Sequence, residues 1–344
     1  MVKKMSRVIF MLFIFGCVIG YVGYTKIFYP NTGFAEDEKV LLLNSNTSVE
    51  DFHKQLVSDS IVNDLTSFQF VSKLMKYTPS RLQGGKFIIK KGMNSKELVG
   101  LFRSKAQSSV NLTFNNVRDL HQLAGKISKN IELDSISLDK YLHSKDIQAK
   151  LGVKAQEEVM SHFIPNTYKV FWNISAEEIV DRMSGERKKF WNEDRLSKMN
   201  ALEMTKEEVY TLASIVEKES QYGPERPTIA GLYLNRLKRG IALQADPTVV
   251  FGVGDFTIRR VLNKHLAHDS PYNTYMHQGL PPGPIYMPSI SSIDAVLNYE
   301  RHEYLFMCAK PGYGTKHAFA KTSRGHTNNA NKYRAWLNEQ GIKK

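Results

Sequence analysis

The chain has 344 residues, 42% of them hydrophobic, and a formal net charge of +13. That length allows two ordinary domains, or one large domain with an appendage, and the apolar content supports a true core. The basic balance suits nucleic acid, anionic lipid or an acidic polymer, but no RNA-binding aromatic motif, zinc-finger spacing or helix-turn-helix signature is present, which sets nucleic acid aside.

Lys3, Lys4 and Arg7 precede an apolar run from Val8 to Tyr24 that extends to Phe28. Its length approaches the roughly 20 residues that span a bilayer. The positive flank predicts a cytoplasmic N-terminus, with the bulk of the chain outside the cytoplasm. A cleaved signal peptide is the rival, but no small-x-small site follows the run, and Tyr21, Tyr24 and Phe28 read as interfacial anchors. Cys17 lies inside the run, so no internal disulfide with Cys308 is expected.

Residues 31–39 read as a polar linker. A weak internal repeat follows, at residues 40–56, 86–102 and 110–123. In each copy a short β-rich stretch meets polar turn residues, and Ser or Asn then caps a helix with an acid in its first turn. Such βα modules are of the kind that bind envelope glycans; a spacer that binds nothing is the other reading. Residues 130–200 read as largely helical, interrupted by a Pro-containing loop at 163–168.

Thr205 and Glu208 make a capping box that starts the next helix. Val209, Leu212, Ala213 and Val216 repeat at i, i+3, i+4 and i+7, the spacing of one buried stripe. The helix ends in VEKES, residues 216–220. At about 100° per residue, Glu219 falls beside the stripe, Glu217 falls near its edge and Lys218 points away. A carboxyl on the apolar side has its charged form desolvated and its pKa raised, as a general acid needs. Periodicity alone equally allows both acids to be solvated at a fraying helix end.

A second helix is expected from Pro227, with Ala230, Leu234 and Leu237 inward and Gly240 at its end. Rigid loops rich in Pro, Gly, Tyr, Asn, Thr and Gln follow. Aromatic faces beside amides and hydroxyls are what a sugar groove offers; plain loop architecture is the other reading. Residues 304–309 and 317–319 read as paired strands across a Gly-rich turn. His317 and His326 lack partners at metal-ligand spacing, and there is neither a Ser nucleophile elbow nor a phosphate loop. Neither a metal nor a cofactor is expected.

ASIVEKES at 213–220, NRL at 235–237, LQADPT at 243–248, YNTY at 272–275, GLPPG at 279–283 and HAF at 317–319 occur in that order. Together they resemble the MltG/YceG-like endolytic murein transglycosylases, strongly over residues 205–330. The resemblance implies cleavage of the β-1,4 bond between N-acetylmuramic acid and N-acetylglucosamine within glycan strands, leaving a 1,6-anhydro end. One glutamate followed by Ser or Thr does the proton work, which selects Glu219 and Ser220. By the same implication Gln244, Tyr272, Asn273, Thr274 and Tyr275 line the glycan groove. Asp246 and Thr248 orient the helix end, His317 and Phe319 bound the cleft, and Glu217, Asn235 and His326 support it. Gly325-His326-Thr327 stands where the family usually has an Asn after the His.

The expected fold class is α+β: a single N-terminal membrane helix, small LysM-like βα modules, then a mixed α+β catalytic domain. The boundaries are 1–30 for the tip and anchor, 31–39 for the linker, 40–107 for the LysM-like region and 108–344 for the catalytic domain. Implied partners are peptidoglycan strands, the membrane, and peptidoglycan synthases or divisome and elongasome proteins. Two other functions remain open. One is a lysozyme-like hydrolase with Asp246 or Glu217 as second carboxyl, since such enzymes use a pair about 5 to 9.5 Å apart. The other is a non-catalytic glycan-binding scaffold.

Overall fold

The structure, a computed structural model, describes residues 2–77, 82–104, 106–312 and 316–341. It divides into two compact units, one of residues 1–112 with 130–133 and 169–174, the other of 113–129, 134–168 and 175–344.

The first unit opens with α1 (Val2–Phe28). Its stretch Met5–Phe28 has a mean hydropathy of 2.1, and its apolar window is not buried inside the protein. That is enough length and apolar surface to cross a bilayer. Next come β1 (Glu38–Leu43), α2 (Val49–Ser58), α3 (Leu65–Leu74), β2 (Gly85–Lys90) and α4 (Ser95–Arg103). β1 and β2 pair antiparallel with Leu41 opposite Phe87 and Leu43 opposite Gly85. Alternation puts Leu41 and Leu43 inward while Val40 and Leu42 face out. Phe52, Phe68, Phe87 and Phe102 complete the core, with edge-to-face ring contacts 5.1 to 6.1 Å apart. Ser48 caps α2, and Asn94 with Glu97 forms a full capping box on α4.

The segment expected as a linker is built into this unit. Asn31, Thr32 and Phe34 are buried, and Asn31 hydrogen-bonds to Asp64 and Ser95. Sequence polarity reads as solvation, but here the polar groups bond buried backbone. The expected strand-then-helix pattern is present at all three repeat positions. The first two strands are nevertheless partners in one sheet with two helices between them, so those two copies do not fold as separate modules.

The second unit contains the remaining helices: α5 (Leu120–Ile127), α6 (Ser135–Leu142), α7 (Lys145–Leu151), α8 (Ala176–Phe190), α9 (Glu193–Ala201), α10 (Lys206–Glu219), α11 (Arg226–Lys238), α12 (Asp246–Val253), α13 (Asn263–Leu266), α14 (Ile290–Leu297) and α15 (Ser323–Glu339). β5 (Phe306–Ala309) pairs with β6 (His317–Ala320) in this unit, whereas β3 (Ser109–Phe114) and β4 (Asn166–Phe171), which pair with each other, are each divided between the two units. β4 occupies part of the stretch expected as a loop. Its alternate residues Tyr168 and Val170 are buried, a period of two that a short run hides. The turn expected between β5 and β6 falls largely on residues 313–315, outside the described residues.

α10 organises this unit. The capping box of Thr205 and Glu208 starts it as expected. Its burial exceeds one stripe, however, because every residue from Val209 to Val216 is buried. α11, α12 and α14 all pack against it, so it is a central helix, hydrophobic all round. α11 also differs in phase from the expectation. Ile229, Ala230, Leu232, Tyr233 and Arg236 are buried, whereas Leu234 and Leu237 are only partly so.

Candidate active site

Glu219 is the last residue of α10. Ser220 then turns extended, is itself buried, and accepts a hydrogen bond from the Tyr222 amide at 3.1 Å. This stop leaves Glu219 in the wall of a groove of about 270 Å³. Leu232, Tyr233 and Arg236 of α11 line it, with Leu243, Gln244 and Asp246 before and at the start of α12, and Tyr275. The opposite side is Phe306 to Ala309 of β5, His317 of β6 and His326 of α15.

Glu219 keeps partial exposure at the groove, but protein packs closely around it, and burial pushes its pKa up to about 7. The negative charge of Asp246 pushes the same way. Against both, Tyr233 Oη donates to Glu219 Oε1 at 2.6 Å, which favours the ionised form. Desolvation wins. The group is poised near neutrality, where a carboxylic acid both gives and retakes a proton readily.

Neighbouring groups are held in place. Tyr275 Oη donates to Asp246 Oδ1 at 2.6 Å. Arg236 donates from Nε to the Ala242 carbonyl at 2.9 Å, from Nη1 to the Leu305 carbonyl at 2.8 Å, and from Nη2 to Gln244 Oε1 at 2.6 Å. That fork ties the α11–α12 connection to the start of β5. Gln244 has a φ of 54°, an unusual conformation for a non-glycine residue, and its amide donates to the Thr274 carbonyl at 3.0 Å. With Oε1 engaged by Arg236, the Gln244 NH2 is available as a donor to a ligand. His317 is set by Glu225, whose carboxylate lies 2.9 Å from Nδ1 and accepts from the His317 amide at 2.8 Å. His326 stacks on Phe306 at 5.5 Å, and its Nδ1 is buried without a hydrogen-bond partner among the described residues.

The structure therefore brings together Glu219, Gln244, Asp246, Tyr275, His317 and His326. The other expected residues stand elsewhere. Thr248 and Thr274 are buried and hydrogen-bond each other at 2.8 Å. Asn273 is 1% exposed and donates to the carbonyls of Leu266 and His268. Tyr272 packs on Phe251 at 4.6 Å, and Phe319 stacks on Tyr304 at 5.5 Å. Of the YNTY loop only Tyr275 reaches the groove; the other three residues build the turn that aims it.

Glu217 also leaves the site. It accepts from the Ser289 hydroxyl at 2.6 Å and from Ser292, and pairs with Arg226 at 3.1 Å. Asn235 donates to the carbonyls of His302 and Tyr304. Gly279 to Pro282 of the GLPPG segment, with Leu234 and Asn235, line a separate cleft of about 830 Å³ that does not include Glu219. Among the described residues no cluster of His, Cys, Asp and Glu is arranged to hold a metal ion.

The YceG-like family model matches residues 41–332. The chain belongs to the YceG-like family. Its relatives include the endolytic murein transglycosylase of Bacillus subtilis, 28% identical over 311 residues that cover 86% of this chain and 85% of the relative. The endolytic murein transglycosylase of Streptococcus pneumoniae serotype 2 is 24% identical over 90% of this chain, which spans 61% of that longer relative. A crystal structure of a YceG-like protein from Listeria monocytogenes superposes with a TM-score of 0.57 at 26% identity, over 86% of this chain and 99% of that one.

In this YceG-like chain the sequence reading missed Tyr233, Arg236, Glu225 and the β5 wall. A signal existed for two of them. Tyr233 and Arg236 are three apart on α11, and so share a face, but a polar face inside a buried helix carries no amphipathic contrast.

Proposed function

We propose that the protein is an endolytic murein transglycosylase whose proton-transfer residue is Glu219. The observation that carries this reading is a helix-terminal carboxyl enclosed beside a polar groove, with its pKa pushed to about 7. Protonated Glu219 gives its proton to the glycosidic oxygen as the bond from muramoyl C1 breaks. The resulting carboxylate takes the proton of the muramoyl C6 hydroxyl, whose oxygen bonds to C1 and closes the 1,6-anhydro ring. No water is consumed, and one carboxyl serves as acid and then base. Tyr233 holds that carboxyl. Gln244, Tyr275 and His317 supply polar contacts to the sugars, and Asp246 keeps the site negative against a developing oxocarbenium ion.

Asp246 shares the groove with Glu219, and this favours one rival, a carboxylate-pair hydrolase. Digestion of purified glycan strands with mass analysis of the new ends separates them. Anhydro ends are expected, reducing ends identify a hydrolase, and no cleavage leaves the scaffold reading. Glu219→Gln should lower cleavage by at least about 10²-fold, the smallest usual contribution of general acid–base catalysis, while the fold persists. Full activity in that variant ends the proposal.

The cellular setting belongs to the same reading. α1 anchors the chain, with Lys3, Lys4 and Arg7 on the cytoplasmic side and the second unit in the extracytoplasmic space. The strand–helix region at 40–107 acts as a LysM-like glycan contact. The enzyme terminates nascent glycan strands beside peptidoglycan synthases and the divisome or elongasome.

A further inference from the structure

α1 does not end in a hinge. Ile27, in its last turn, packs against the core of the first unit, and the C-terminal end of α1 meets α3 and α4. Asn31 follows Phe28 by three residues and is clamped. Its Nδ2 donates to Ser95 Oγ at 3.0 Å and to the Asp64 carbonyl at 2.9 Å. Its Oδ1 accepts from the Asp64 amide at 2.7 Å. Its backbone amide donates to the Met93 carbonyl at 2.9 Å, and its carbonyl accepts from the Asn63 amide at 3.0 Å. An extended strand of free chain would let the first unit tumble; this junction does not.

The junction fixes what lies at the level of the α1 terminus. Lys26 Nζ sits 5.9 Å from the centre of the Phe70 ring on α3. Lys96 Nζ of α4 sits 5.5 Å from the Phe28 ring. Phe70 and Leu74 lie one turn apart on the outer face of α3 and are 43% and 62% exposed. Burial of the opposite face, Phe68 and Val71, already accounts for the packing of α3. Among the described residues neither Phe70 nor Leu74 takes part in that core. Tyr24, Phe28 and Tyr29 crowd together at the same end of α1, with ring centres 5.0 and 6.5 Å apart. Aromatic rings and lysines at the end of an apolar helix are the composition of a bilayer interface. Lys73 and Lys76 are exposed at the end of α3, where cations suit anionic headgroups.

We propose that the outer face of α3, centred on Phe70 and Leu74, is a second membrane contact that beds the first unit into the lipid interface beside α1. Lipid is the occupant because this face is continuous with the apolar helix itself, with Lys26 bridging the two. The inference rests on α1 crossing the membrane, and its test separates the two claims.

The full chain, with Cys17→Ala and Cys308→Ala, is reconstituted into vesicles of phosphatidylcholine and phosphatidylglycerol. Single cysteines at Ile14→Cys, Phe70→Cys, Leu74→Cys or Val57→Cys carry a nitroxide. Val57 is 51% exposed on α2 and is the aqueous control. Relaxation of each nitroxide by oxygen is compared with relaxation by a water-soluble nickel chelate. Labels at 14, 70 and 74 should favour oxygen, with 70 and 74 shallower than 14, and the label at 57 should favour nickel. Labels at 70 and 74 that behave like 57, while 14 lies in lipid, overturn the α3 contact alone. An aqueous label at 14 overturns the membrane helix and the contact with it. Leu74 is largely exposed, so its replacement leaves the core intact.

Discussion

The Tyr233 hydroxyl donates to Glu219 Oε1 at 2.6 Å, from one buried helix to the end of another. That bond opposes burial. Desolvation and the charge of Asp246 raise the Glu219 pKa, while Tyr233 lowers it, and the balance stands near 7. The bond also holds the carboxyl in one orientation, as the two successive proton transfers of the proposed mechanism need.

In the proposed mechanism Glu219 carries a proton at the first step, so cleavage should decline as pH rises through about 7. Tyr233→Phe removes the bond that favours the carboxylate, so the alkaline limb should move to higher pH. Lost orientation should cost roughly tenfold or more on the plateau. A rate profile of anhydro-end formation reads both effects. An unmoved limb would detach Tyr233 from the titration.

Stability should carry the opposite mark of the same carboxyl. Its folded pKa lies above the ordinary value of 4.5. The folded state therefore holds its proton more tightly, and the unfolded chain gains by ionising as pH rises. The penalty is absent below about pH 4.5, grows up to about 7 and is complete above it. Glu219→Gln, which keeps an oxygen acceptor for Tyr233, should raise the unfolding free energy by up to about 3 kcal/mol at pH 8 and change little at pH 4. Denaturant melts at the two pH values check this.

Asn273→Ala should act through the fold. It strips donors from the Leu266 and His268 carbonyls, whose partner is almost wholly buried. The expected loss is about 2 kcal/mol, or on the order of 5 °C in Tm. Activity should fall together with Tm, because the same loop aims Tyr275. A variant with normal melting and lost activity would return Asn273 to the groove.

Glu217→Gln tests the other acid of the pair. It leaves Arg226 without its carboxylate partner, and the hydroxyls of Ser289 and Ser292 lose a charged acceptor. About 3 kcal/mol of stability should be lost, the lower end of what removing half of a buried ion pair costs. The pH limb of cleavage should stay where it is. A shifted limb would bring Glu217 into the chemistry.

Local order was legible in the chain itself. The apolar run of α1, the Thr205 and Glu208 cap of α10, the stop after Glu219 and the β5–β6 pair all follow from neighbours a few residues apart, where spacing and capping act directly. A turn of 100° per residue also separates the faces of Glu219 and Glu217, and the two acids do have different partners, Tyr233 for one and Ser289 for the other.

What surrounds Glu219 was decided by tertiary structure. Its partners at 233, 246, 275, 306, 317 and 326 meet it only when distant segments converge, and no periodic signal in one helix encodes that meeting. The same convergence sends Glu217 to the serines at the start of α14, and gives Asn273 and Thr274 hydrogen-bond partners within the protein. α11 was read in the wrong phase because its buried face includes a tyrosine and an arginine, satisfied by partners that pattern alone cannot supply. Residue type and spacing determine which groups are able to do chemistry. Burial and long-range hydrogen bonding decide which of them holds its proton at neutral pH.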